Sequence, residues 1–280
     1  MRSILITGCS SGIGHAVAHG LNDRGWRVFA TARKPEDVAR LRAEGLDARR
    51  LDLTDPASIA SALDAVLATT GGTLDALFNN GAYGQPGAVE DLTREVMRIQ
   101  LETNLLGWLD LTNRVIPVMR HQGHGRIVNN SSVLGLIALP FRGAYNTSKF
   151  ALEGLTDTLR LELHGSGIHV SLIEPGPITS RFRANAHAAF IANIDRENSA
   201  FHAQYAGAEK RLSRPDQGDD PFTLGPDAVL ERVIHALEAP RPRARYYVTF
   251  PTHLFAALRR LLPTRALDWV LLRVSRSENR

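Results

Sequence analysis

Short β-rich runs alternate with amphipathic helical stretches through the first 174 residues, and this alternation constrains the fold more than any other feature of the chain. Candidate strands are Ile4 to Thr7, Arg27 to Thr31, Ala48 to Leu51, Ala76 to Asn79, Arg126 to Asn130 and His169 to Glu174. Between them, Ile13 to Arg24, Pro35 to Ala43, Pro56 to Ala68, Arg94 to Arg120 and Gly143 to His164 read as helices, each long enough for a right-handed return to a parallel neighbour. The pattern predicts an α/β fold with a doubly wound parallel sheet.

Composition narrows the class. With 44% hydrophobic residues in 280, the chain has ample material for a sizeable core. A single cysteine excludes an internal disulfide framework and a thiol set for structural zinc, which suits a reducing cytoplasm. Ser3 to Thr7 is a short apolar run followed at once by a glycine-rich turn rather than a cleavage site, and no stretch reaches the ~20 apolar residues of a membrane span. The expected location is the cytoplasm. A net charge of +4 is small for this length, so no nucleic-acid partner is expected. His187, His202 and the other histidines are read as surface or packing residues without paired metal-ligand spacing, and no metal is expected.

After Pro175 the character of the sequence changes. Thr179 to Asp220 is polar, with scattered Phe, His and Asn and a Pro/Asp/Gly cluster from Pro215 to Pro221; it reads as a mobile insertion with short helices. Pro226 to Leu237 resumes a helix, and Arg245 to Phe250 reads as a last strand. The expected organisation is a catalytic domain over residues 1–250, with a substrate loop at about 179–221, and a C-terminal extension over 251–280.

Two stretches carry chemistry. The first strand runs directly into Thr7-Gly8-Cys9-Ser10-Ser11-Gly12-Ile13-Gly14. Glycines allow a tight bend and close approach to a pyrophosphate, while the following helix N-terminus presents unpaired N–H groups to the anion. We read a dinucleotide site here, with Gly8, Ser10, Ser11, Gly12, Ile13 and Gly14 against the phosphates. Cys9 reads as a small buried filler in this turn. The second strand ends in Arg33-Lys34, without the acid that commonly receives a free ribose diol, so the pair predicts NADP(H) over NAD(H); a solvated basic loop is the alternative. Asp52, beside Leu53, either accepts a hydrogen bond from adenine or caps the helix at Pro56, a task Thr54 or Asp55 would do better.

The second stretch is Tyr145-Asn146-Thr147-Ser148-Lys149, which sets a phenol and an ammonium one helical turn apart, with Ser131 and Ser132 upstream. A tyrosine exchanges protons poorly at neutral pH unless a nearby positive charge favours its phenolate. Lys149 can supply that charge.

Thr7 to Gly14, Asp52, Asn79-Asn80, Asn104, Ser132, Tyr145 with Lys149, and Pro175-Gly176 followed by Thr179 together resemble the short-chain dehydrogenase/reductase family in order and spacing. The resemblance runs from about residue 3 to about residue 180 and, on the longer chain length, extends to members similar to 17β-hydroxysteroid and retinol dehydrogenases. It implies a single Rossmann-type parallel sheet of about seven strands flanked by helices, with hydride transfer between NAD(P) and a carbonyl or alcohol. It further implies that Tyr145 is the acid/base, that Lys149 also bonds the nicotinamide ribose, and that Ser132 rather than Ser131 polarises the carbonyl. By the same resemblance Asn104 holds a water linking Lys149 to solvent; read without it, Asn104 is equally a helix-kink asparagine bonded to backbone. Asn79, Leu53, Pro175, Gly176, Ile178 and Thr179 join the cofactor set, with Thr179 at the carboxamide. The family usually shows Asn-Asn-Ala-Gly where this chain has Asn79-Asn80-Gly81-Ala82, which predicts strain at Ala82 should that position take positive φ.

Phe182, Phe190, Phe201 and Tyr205, with Leu136, Ile137 and Leu139, suggest a hydrophobic pocket for a steroid, a retinoid or a long-chain aldehyde or ketone. Thr252 to Arg276 is amphipathic and basic, with Pro263 breaking it into two helices. Such a tail can pack on its own subunit or a partner, cover the substrate cleft, or lie on an anionic membrane surface. By resemblance the chain forms a homodimer or homotetramer through Arg94 to Arg120 and Gly143 to His164. Two rival functions stand beside the reductase: a sugar-nucleotide epimerase or dehydratase, for which too few residues follow Thr179, and a cofactor-sensing protein without catalysis, which would commonly lack the tyrosine or lysine.

Overall fold

The computed structural model describes residues 1–213 and 222–278, so the Pro/Asp/Gly cluster at 215–221 lies outside the described residues. Strands β1 (Ser3–Ile6), β2 (Arg27–Ala32), β3 (Asp47–Arg50), β4 (Ala76–Asn79), β5 (Gly125–Asn130), β6 (Ile168–Glu174) and β7 (Arg245–Tyr247) form one sheet in the order β3-β2-β1-β4-β5-β6-β7. Every pairing is parallel. The chain winds outward from β1 to β3, then restarts beside β1 with β4, where Ile4 faces Val28 on one side and Ala76 on the other. That reversal opens a crevice beyond the carboxyl ends of β1 and β4, the usual ligand position in such sheets.

Both faces of the sheet are covered, which explains why the strands read as continuous apolar runs. In β1, Ile4 and Ile6 pack toward α1 (Gly12–Asp23), α2 (Pro35–Ala43) and α9 (Asp227–Glu238). Leu5 points the other way, toward α3 (Pro56–Thr70), α5 (Gly107–Gln122) and α6 (Gly143–Glu162). The same alternation in β2 sends Val28, Ala30 and Ala32 to the first layer and Phe29 to the second.

Three expectations change. The helix expected over Arg94 to Arg120 is divided: α4 (Arg94–Leu101) is followed by a π-helical turn, Glu102–Leu106, before α5 begins. Such a turn shifts the helical register locally, and two neighbours require it. Asn104 is fully buried on the backbone of Tyr83, while a Cβ at Gly107 would lie 2.1 Å from the carbonyl oxygen of Leu53. The last strand stops at Tyr247 rather than Phe250, because Pro251 falls in the first turn of α10 (Phe250–Leu261), where its fixed φ starts a helix. Ala82 does not take positive φ, so the exchanged Gly81-Ala82 pair carries no strain there; among the described residues Phe141, at φ 62°, is the only non-glycine in that region.

The polar insertion folds as α7 (Phe182–Asn193) and α8 (His202–Ser213) around a third small core of Phe190, Ile194, Tyr205 and Leu212. Tyr205 and Ser199 both bond Asp91, which ties this helical pair to the body of the protein. The C-terminal extension breaks around Pro263 into α10 and α11 (Thr264–Glu278), as the sequence suggests. The α10 residue Arg259 donates to the Leu136 carbonyl, and its guanidinium lies 4.9 Å from the Phe150 ring. No helix among the described residues is long and apolar enough to cross a membrane.

Candidate active site

The glycine turn at the end of β1 is held from below. Thr7 Oγ1 accepts hydrogen bonds from the backbone N–H groups of Asn80, at 2.8 Å, and Gly81, at 2.9 Å. The Asn80 side chain in turn donates to the carbonyls of Thr7 and Gly8. Gly8 has φ 72°, and a Cβ there would lie 2.4 Å from Gly81 Cα; a Cβ at Gly14 would lie 2.3 Å from the Gly8 carbonyl oxygen. Bare backbone is therefore a steric requirement of the turn. Arg40 Nη2 pins the loop by donating to the Ser10 carbonyl at 2.6 Å. Helix α1 starts at Gly12 without a side-chain cap bond and without an acid in its first turn. Its leading N–H groups and dipole thus suit an anion, and the cradle fits a dinucleotide pyrophosphate.

The segment after β6 passes beside this turn. Ser180 Cβ stands 2.8 Å from where a Gly12 Cβ would be, directly after the predicted Pro175, Gly176, Ile178 and Thr179. A Cβ at Gly176 would lie 2.1 Å from Thr249 Oγ1, so the start of α10 supports that segment. Arg33 and Lys34 are exposed at the end of β2, and the Arg33 charge reaches Tyr83, whose phenol burial raises and Arg33 lowers. Asp55, not Asp52, caps α3 by accepting from Ala57 N–H at 2.9 Å. Asp52 Oδ1 instead orders its own turn by accepting from the Thr54 N–H and hydroxyl. Cys9 is fully buried, and burial pushes its thiol up to about 12, in keeping with a filler.

Helix α6 lifts Tyr145 and Lys149 to the crevice on one face. The Ser132 side chain is near enough to the Tyr145 phenol to lower its pKa. Ser132, thirteen residues upstream, is fixed by accepting from the Leu134 N–H at 3.1 Å, while Ser131 is buried beneath it. Burial pushes the Tyr145 phenol up to about 12, against Ser132, which lowers it. Lys149 is 1% exposed; its ammonium donates to the Asn130 carbonyl at 2.7 Å and stands 4.5 Å from the Trp108 ring centre and 5.7 Å from that of Tyr145. Burial brings Lys149 down to about 7, with Glu153 pulling it back up. Desolvation dominates both groups, disfavouring the phenolate and the ammonium alike, with Ser132 and Glu153 each offsetting part of it.

Two predicted residues stand one step back from the crevice. Asn104 sits in the π-helical turn with its side chain on the N–H and carbonyl of Tyr83 and on Ser148 Oγ. The Asn79 side chain is wholly buried between sheet and α5, donating to Thr112 and Asn129; it is the neighbouring Asn80 that reaches the glycine turn. Thr7, Asn80 and Arg40 are the supporting residues that the sequence reading left without a role. A threonine closing the first strand and an asparagine following Asn79 were the available signals for two of them.

Against Tyr145 lies a cavity of about 120 Å³, with Gly84 and Phe182 at its wall and Leu134, Ala186 and Leu212 beside it. It is amphipathic rather than wholly apolar, since Arg142, Arg183 and Arg211 also line it. Of the aromatic residues expected to form it, only Phe182 does so; Phe190 and Tyr205 are consumed by the core of α7 and α8, and Phe201 packs against that core.

Comparisons with known proteins agree with this arrangement. The short chain dehydrogenase family profile matches residues 2–189. The chain is 43% identical over 270 residues to the oxidoreductase YbbO of Escherichia coli (strain K12), covering 96% of this chain and 94% of that protein. It is 35% identical over 261 residues to the human 17-beta-hydroxysteroid dehydrogenase type 1, covering 88% of this chain and 77% of that protein. A short chain dehydrogenase/reductase from Burkholderia phymatum in complex with NAD superposes with a TM-score of 0.78 at 28% identity, covering 93% of this chain and 92% of that one. The chain belongs to the short-chain dehydrogenase/reductase family, and is an oxidoreductase of that family.

Proposed function

We propose that the protein is an NADP(H)-dependent reductase or dehydrogenase acting on a lipophilic carbonyl or alcohol, with Tyr145 as its acid/base. The observation that carries this reading is the Tyr145 phenol at a cavity wall, with Ser132 near enough to lower it and the buried Lys149 ammonium 5.7 Å from its ring centre, together with the bare glycine turn. The nicotinamide, when bound, supplies or takes up the hydride. In the reduction direction Ser132 Oγ holds the carbonyl oxygen and Tyr145 gives it a proton. Burial keeps the phenol protonated but makes it a weak acid, so the donor role depends on groups that favour its phenolate: Ser132, which lowers it, and the Lys149 ammonium. The Lys149 ammonium favours the phenolate left behind, and Asn130 fixes that ammonium in place.

The glycine turn, from Gly8 to Gly14 with Ser10, Ser11, Gly12 and Ile13, would hold the pyrophosphate. Asp52 and Leu53 would take the adenine end, and Tyr145, Lys149, Pro175, Gly176, Ile178 and Thr179 the nicotinamide end. Arg33, exposed at the end of β2, and Lys34, whose ammonium lies 3.9 Å from the exposed Glu36 carboxylate, support a 2′-phosphate and hence NADP(H). The apolar part of the cavity, together with the likeness to a steroid dehydrogenase, supports a lipophilic substrate. Residues 1–250 form the catalytic unit in this reading, in the cytoplasm, with 251–280 as an extension. Exposed Ile99, Leu106 and Leu161 on α4, the π-helical turn and α6 support a homodimer or homotetramer, and exposed Trp269 and Leu272 beside the α11 arginines support peripheral contact with an anionic membrane.

A panel of lipophilic ketones, aldehydes and alcohols, followed at the nicotinamide absorbance with both cofactors, tests the assignment. We expect turnover with a kcat/KM ratio favouring NADP(H), and Arg33→Asp to move that ratio toward NAD(H) by at least about tenfold. An unchanged ratio would remove Arg33 from the cofactor site. Tight dinucleotide binding with no turnover on any member of the panel would favour a sensor over an enzyme.

A further inference from the structure

On the outer face of α1, away from the Tyr145 cavity, His15 and His19 stand four residues apart and so share one side of the helix. This is a His-x-x-x-His spacing, contrary to the reading that none of the histidines is paired for metal. Both rings reach the same carboxylate oxygen: His15 Nε2 lies 2.8 Å and His19 Nε2 3.0 Å from Glu44 Oε2, at the end of α2. The ring centres are 4.5 Å apart, and the three ligand atoms lie within 4.8 Å of one another.

We propose that His15, His19 and Glu44 form a binding site for a divalent transition metal ion of the zinc class. Two imidazole nitrogens and one carboxylate oxygen are an ordinary donor set for such ions, leaving further positions for water. Bonds of ~2.1 Å in a tetrahedral site put ligand atoms ~3.4 Å apart. The two nitrogen–oxygen separations therefore need to open by only about half an ångström, which side-chain rotation provides. The side chains are 34%, 32% and 29% exposed, so an ion has an approach from solvent and the ligands need no unfolding to meet it. The second oxygen of Glu44 is held by Arg40 Nη1 at 2.8 Å, which aims Oε2 at the imidazoles, and Arg40 is itself paired with Asp37 at 3.1 Å. Counting Arg40, Asp37 and Glu44, the surroundings carry one net negative charge, which favours a dication. Because Arg40 also holds the Ser10 carbonyl, the site lies one side chain from the glycine turn.

The test uses tag-free, full-length protein stripped with chelator and then freed of it, titrated with zinc by calorimetry and with cobalt by visible absorption. The proposal expects one ion per chain and a visible cobalt spectrum. His15→Ala and His19→Ala should each weaken binding by more than the ~10-fold that follows loss of an outer-shell partner, with thermal melts unchanged. His124→Ala, at a lone histidine paired with Asp75 at 3.0 Å, should leave binding intact. Absence of stoichiometric zinc and cobalt binding overturns the proposal, as does wild-type affinity in both His15→Ala and His19→Ala. Neither outcome depends on turnover, so the result stands apart from the reductase assignment.

Discussion

Lys149, Glu153 and Asp157 lie at successive four-residue steps along one stripe of α6, yet the two ends of that stripe treat buried charge in opposite ways. At the far end Arg245, from β7, makes ion pairs with Glu153, with the fully buried Glu174 and with Asp157, the last at 2.6 Å. At the near end the Lys149 ammonium, more deeply buried than Arg245, donates to a neutral carbonyl between two aromatic rings, with Glu153 acting on it through its charge alone. One cation is surrounded by carboxylates; the other is left to carry its desolvation. The first arrangement holds sheet and helix together, and the second holds an amine near its titration point beside a phenol.

The comparison breaks most visibly on substitution at its two ends. Arg245→Met leaves Glu153 buried without its counter-charge and the Glu174 carboxyl without its donor, and should lower unfolding free energy by roughly 3 kcal/mol, read from urea midpoints at unchanged slope. Lys149→Met removes an amine that burial already brings down to about 7, so it should leave stability equal or higher while turnover is lost. Equal destabilisation by the two changes would show that Lys149 is a structural ion like Arg245.

A smaller effect sharpens the carboxylate end. Burial first, and then the neighbouring Glu153, pushes Glu174 up to about 8 against the pull of Arg245. The folded protein therefore keeps a proton that the unfolded chain releases at the ordinary glutamate value of 4.5. Its stabilising contribution is complete below 4.5 and is lost as pH rises through about 8. Glu174→Gln should flatten that part of the stability profile, measured as urea midpoints between roughly pH 5 and pH 8.5. A wild-type slope retained in the variant would place the proton elsewhere.

Local sequence carried much of this molecule and lost it where distant contacts decide. The parallel sheet, the glycine turn and the Tyr145–Lys149 pair were legible because period, glycine placement and four-residue spacing are properties of adjacent residues. The π-helical turn at Glu102–Leu106 was not, since its causes are the Leu53 carbonyl against Gly107 and the Tyr83 backbone under Asn104. Nor was the fate of Phe190 and Tyr205, whose aromatic character fits a pocket wall and a core equally until α7 and α8 are folded together. The Arg245 cluster joins residues 92 and 71 positions apart in the chain, and nothing in the local pattern marks it.

The acid/base role of Tyr145 is tested most directly by Tyr145→Phe, which removes one oxygen from a ring otherwise held by Phe182 and α6. Measured on a carbonyl substrate found with the wild-type protein, kcat/KM should fall by about a thousandfold, while the dissociation constant for the dinucleotide changes by less than about threefold. Turnover retained at the wild-type rate in the phenylalanine variant would contradict the account.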